Sequence, residues 1–139
     1  MRAKESLVLT EMLLMILVFS MAASLCLKAF TWADITSRQN SDLSDAVLQV
    51  QNTAEAVKVC RGDFGECTRL LGGGEADENR LTLYFDREWV VTDVKGAVFC
   101  LQVEKIESGE PLLGMAYVRC IYISGERLFS LKVCWQEVE

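Results

Sequence analysis

From Leu7 to Leu27 nearly every position is apolar, and from Thr31 onward polar residues return at helical intervals. The first run is about 21 residues long, close to the ~20 needed to cross the ~30 Å hydrocarbon core of a bilayer. Beyond it, TWADITSRQNSDLSDAVLQVQNTAEAVKVC contains neither glycine nor proline. Leu43, Val47, Val50, Ala54 and Val57 recur at alternating steps of four and three, an apolar stripe on an amphipathic helix. The pattern predicts one helix from Leu7 to Lys58, about 78 Å long at 1.5 Å per residue. Its first half would span the membrane and its second half would present the stripe.

After Arg61-Gly62 comes a stretch read as loop, containing Gly72-Gly73-Gly74, and then four strand-like runs. These are RLTLYFDREWVV (80–91), GAVFCLQVEKI (96–106), GMAYVRCIYI (114–123) and RLFSLKVCWQEV (127–138), all rich in β-branched and aromatic residues. In the last run Phe129, Leu131, Val133 and Trp135 alternate with Ser130, Lys132, Cys134 and Gln136. In the second, Ala97, Phe99, Leu101 and Val103 form the apolar face. The pattern predicts an antiparallel meander of about four strands, one face on the helix and one toward water. The expected class is α+β, divided as a leader (1–6), a membrane-spanning half-helix (7–28), an exposed half-helix (29–60) and a small sheet domain (61–139).

Charge narrows the partners. Residues 29–139 hold 11 Lys and Arg against 18 Asp and Glu, a net −7, with no basic run after Lys28. That balance argues against nucleic acid, which needs clustered cations on phosphate. The chain has no histidine, which removes Ser–His and Cys–His nucleophile pairs, HExxH zinc sites and all histidine-ligated metals. Asp86 with Glu88, and Glu104, Glu107 and Glu110, are read as solvated acidic surface rather than acid–base machinery. The expectation is a non-enzyme with no cofactor and no metal.

The N-terminus is the informative part. Arg2 and Lys4 precede the apolar run, which keeps the N-terminus cytoplasmic and places the chain beyond Lys28 outside. Within the run stands one carboxylate, Glu11. Such a group costs roughly 2.5–3.5 kcal/mol near the middle of a span and less toward an end. Three readings stay open: a cleaved secretory signal with a cut near Ser20-Met21-Ala22, an uncleaved anchor, or a segment that uses Glu11. The run is long for a secretory signal and carries an acid.

A short basic leader, a small residue, an apolar run with an acid at its fifth position, a long helix and a small sheet resemble the type IV pilins and pseudopilins. NSDLSDAVLQVQNTAEAVKV followed by TLYFDREW is also similar to small pilin-like proteins of Clostridia-type Gram-positive bacteria. The resemblance implies cleavage by a prepilin peptidase between Ser6 and Leu7, N-methylation of Leu7, and a pairing of Glu11 with the new terminal amine of a neighbouring subunit. A paired buried carboxylate is tolerated where a lone one is not. The partners implied are other pilin or pseudopilin subunits, the peptidase, an assembly platform and the membrane. The chain departs from the family pattern in Ser6, where glycine is usual, and Leu7, where phenylalanine is usual. The alternative is an uncleaved single-pass anchor carrying an extracellular binding module.

Six cysteines remain. Cys26 lies in the apolar run and reads as a small hydrophobe. No CxxC pair exists, and the spacing of Cys60 and Cys67 is too wide for a usual zinc half-site. A disulfide between Cys60 and Cys67 is the first expectation for a chain exposed outside the cytoplasm. The strand cysteines could supply another; in a sequential meander Cys100 and Cys134 stand about 9.6 Å apart, so in that case Cys120 would have to pair with one of them. Reduced cysteines acting as small hydrophobes are the other reading. The Arg61-Gly62-Asp63 triplet is too short a match to carry an adhesive role.

Overall fold

The computed structural model describes residues 2–137, so Met1 of the leader and Val138 of the last strand-like run lie outside the described residues. The architecture is α+β: a long N-terminal helix, α1 (Arg2–Val59), packed on a five-stranded antiparallel sheet. By internal contacts the chain divides after Asn40 into two units.

In the first unit α1 is helical from Arg2 and passes through residues 2–6 and the Ser6–Leu7 bond without interruption. Every described side chain from Lys4 to Ile35 is exposed, including Leu7, Phe19 and Phe30 at 71%, 76% and 78%. This helix is long and apolar enough to cross a membrane.

In the second unit the remainder of α1 is followed by α2 (Phe64–Leu71) and the strands β1 (Glu75–Ala76), β2 (Arg80–Phe85), β3 (Phe99–Ile106), β4 (Leu113–Tyr122) and β5 (Arg127–Gln136). The strands lie in sequence order, each antiparallel to the next. The meander is therefore as expected, with a short fifth strand added at one edge.

Side-chain alternation builds the core. Leu81, Leu83 and Phe85 stand opposite Val103, Leu101 and Phe99, and Leu101 and Val103 stand opposite Cys120 and Val118. All of these are buried, and Ala46, Val50, Ala54 and Val57 of α1 join the same core. The small residues on the helix let its axis approach the sheet, and each fully buried Val or Leu contributes about 1.5–3 kcal/mol. The buried stripe differs from the expected one at its start. Ala46, rather than Val47, faces the sheet, Val47 is half-buried, and Leu43 remains 40% exposed. Counting only large apolar residues misses an alanine whose value is its smallness.

Two other expectations need correction. The stretch after Arg61-Gly62 is not all loop: Asp63 caps α2 by accepting hydrogen bonds from the Gly65 and Glu66 N–H groups at 3.0 and 3.2 Å. Gly72, in the left-handed region at φ 79°, ends that helix by donating its N–H to the Thr68 carbonyl. The run 80–91 is a strand only to Phe85. There the Asp86 carboxylate accepts from the Glu88 and Val90 N–H groups and folds the chain back, so that Val91 bridges to Phe85.

Trp135 closes the far end of the core. It lies against Gly62 and Gly114, where an added Cβ would come within 2.4 and 2.2 Å of the indole ring. At the other end Trp89 stacks on Phe99 at 4.0 Å, with Phe85 and Tyr122 alongside. The Tyr122 hydroxyl donates to Asp42 of α1 at 2.9 Å.

Candidate functional site

The candidate site is the segment around Glu11. A helix in a bilayer must satisfy its own polar groups, because hydrocarbon offers no partners. Here the hydroxyls do so by bonding backward one turn. Thr10 donates to the Ser6 carbonyl, Ser20 to Ile16, Ser24 to Ser20 and Thr31 to Leu27, all at 2.8–2.9 Å. Glu11 is the exception. The positions one turn away on either side are Leu7, Val8, Leu14 and Met15, none able to pair with a carboxylate. Among the described residues it has no hydrogen bond or ion pair. Within the apolar run the side-chain hydroxyls are thus accounted for, whereas the Glu11 carboxylate has no partner within the chain among the described residues.

Ser6 and Leu7 lie within α1, one turn ahead of Glu11. Lys28, Phe30 and Trp32 lie just past the apolar run, with Trp32 72% exposed. A cation and one amphipathic aromatic, Trp32, are the residue types that favour the headgroup boundary of a spanning helix.

No protein-family model, no curated protein and no solved structure matches this chain.

Two of the carboxylates singled out beyond the apolar run, Asp86 and Glu104, make bonds within the fold. Asp86 holds its turn, as above. Glu104 bridges Arg80 at 3.2 Å and Arg119 at 2.8 Å across three strands. Its carboxyl is held below the usual range by its bond to Arg80, with the charges of both guanidiniums adding to the effect. The Arg61-Gly62-Asp63 triplet is likewise engaged: Gly62 is buried under Trp135 and Asp63 caps α2. These residues line an open groove of 870 Å³ together with Asp77, Glu78 and Lys105. Among the described residues no group of three or more Cys, Asp or Glu is placed to hold a metal ion.

All six cysteines carry free thiols. Cys60 and Cys67 are buried in the same core cluster, and both reach the Ala56 carbonyl, Cys60 through its N–H at 2.9 Å and Cys67 through its thiol at 3.8 Å. A second disulfide, which would have required Cys120 to pair with Cys100 or Cys134, does not fit the sheet. Cys120 stands opposite Leu101 and faces α1, whereas Cys100 stands opposite Ile121 and Cys134 opposite Met115, on the other face of the sheet. A one-residue offset along a strand reverses the side-chain direction, so the spacing between strands alone cannot decide which cysteines meet.

Proposed function

We propose that this chain is a non-enzymatic, pilin-like subunit, cut between Ser6 and Leu7 and assembled through the N-terminal part of α1 into a type IV pilus or pseudopilus. The observation that carries the reading is the unpartnered Glu11 in an otherwise self-satisfied apolar helix, five positions into the chain that cleavage after Ser6 would leave. Cleavage would create an ammonium group on Leu7, a cation able to complement the Glu11 carboxylate of an adjacent subunit. Two such charges in a low-dielectric layer attract strongly, and the pair sets register between helices. The N-terminus would lie in the cytoplasm and the sheet unit outside.

Glu11→Gln tests the pairing. It keeps the shape and removes the charge, so insertion should be retained while assembly falls at least tenfold, read as the fraction of chain recovered in sheared surface filaments or cross-linked multimers. Unchanged assembly would contradict the assigned role.

One observation favours the alternative of an uncleaved anchor with an external binding module. Helix α1 runs unbroken through Ser6 and Leu7, whereas a peptidase requires an extended backbone at the scissile bond. The two readings differ in their N-termini.

A further inference from the structure

We propose that Cys60 and Cys67 are joined by a disulfide while the chain folds outside the cytoplasm, and that docking of α2 then buries the bond. The placement outside rests on the anchor topology above; the pairing rests on local geometry alone. Helix α1 ends at Val59, and the Cys60 N–H still bonds back to the Ala56 carbonyl at 2.9 Å. Arg61 and Gly62 come next in the left-handed region, with φ of 51° and 77°, and reverse the chain. Asp63 then starts α2, so Cys67 returns over the last turn of α1, its Sγ 3.8 Å from the same Ala56 carbonyl. Cys60 is 7% exposed and Cys67 is fully buried, both in the same core cluster. The strand cysteines have no such arrangement, being split between the faces of the sheet.

The chemistry is thiol–disulfide exchange. One cysteine thiolate attacks the disulfide of an exported oxidoreductase or of oxidised glutathione, forming a mixed disulfide and expelling a thiolate. The second cysteine, as thiolate, attacks its partner's sulfur in that mixed disulfide and expels the other half of the oxidant. The Cys60–Cys67 bond forms, and the two cysteine protons end on the oxidant's sulfurs, so that it leaves as a dithiol or as two glutathione thiols. Timing is set by burial. In the folded unit the Cys67 thiol is pushed up to about 12, first by burial and then by Cys60, Asp63 and Glu66. Thiolate is then scarce near neutral pH, so oxidation belongs to the stage before α2 docks.

The test uses the full chain in detergent micelles, reduced, unfolded and refolded in a glutathione redox buffer, then alkylated and digested with trypsin. Cleavage at Arg61 separates the two cysteines onto different peptides. The proposal predicts one linked pair, Cys60 with Cys67, and alkyl groups on the other four cysteines. The reduced, already folded chain should form the link at least about tenfold more slowly in the same buffer. The linked chain should melt roughly 10 °C above the reduced one, a gap absent in Cys60→Ser. Alkylation of both cysteines after refolding, or linkage of Cys60 to another cysteine, overturns the pairing. Chain extracted from cells after acid quenching should carry the same link. If it is reduced there while linking readily in vitro, the proposal fails through its compartment and the external placement fails with it.

Discussion

Helix α1 contains two apolar stretches that meet opposite fates. Between Leu7 and Phe30 the apolar side chains are mostly large, surround the helix and are exposed. Between Ala46 and Val57 the core-facing ones are small, confined to one side and buried at 0–2%. A helix apolar all around requires an apolar surrounding on every side, which a five-stranded sheet cannot supply and a bilayer or a bundle of like helices can. A one-sided stripe of Ala and Val needs only one sheet face. The distribution and size of apolar residues, more than their number, therefore separate a span from a core helix.

The sharpest way to break this comparison is to place the same charge in each stretch. Val50→Asp buries an unpaired carboxylate and should destabilise the sheet unit by about 3–5 kcal/mol, enough to unfold it in a denaturant titration. Leu14→Asp should leave that unfolding midpoint unchanged within about 0.5 kcal/mol and instead reduce the membrane-bound fraction on carbonate extraction. Equal effects on unfolding would remove the distinction.

Smaller in effect is a change at the closed end of the core. Gly114→Ala puts a methyl group into the Trp135 indole, and should cost about 1–3 kcal/mol with a shift in tryptophan fluorescence. An unchanged spectrum and midpoint would show that the indole is free to move aside.

The smallest expected effect is on pH dependence. Cys120 is pushed up to about 12 by burial, from an ordinary value of 9.0, and Cys67 likewise. Tyr122 is pushed up to about 12 from 10.0 by burial first and by its bond to Asp42 second. These groups hold protons in the folded unit that the unfolded chain releases, so their contribution to stability is full below about pH 9 and declines from there toward pH 12. Tyr122→Phe should lower stability at about pH 7 through the lost bond to Asp42, yet flatten the decline above about pH 10. A parallel decline in both proteins would show that Tyr122 does not contribute to it.

Much of this fold was legible because periodicity reports directly on burial. The alternation in Phe129, Leu131, Val133 and Trp135 and three of the four main strands could be read to within a few residues. Helix α2 was obscured by its glycine-rich surroundings, although Asp63 with Glu66 three residues on and Gly72 after the last turn are start and stop signals of a short helix. The early end of β2 was hidden because Trp89 and Val90 look like strand residues; the side chain of Asp86 decides otherwise. At the candidate site the sequence already showed Glu11 among apolar neighbours. The backward bonds of Thr10, Ser20, Ser24 and Thr31, which leave Glu11 as the one unanswered group, required coordinates.

The measurement that tests the central reading most directly is the mass of the N-terminal peptide of the protein isolated from its native membranes. Pilin-type processing predicts a chain that begins at Leu7 and carries one added methyl group. A chain retaining Arg2 to Ser6 ahead of Leu7 would contradict it, and would leave α1 as a plain anchor whose carboxylate has no assembly partner.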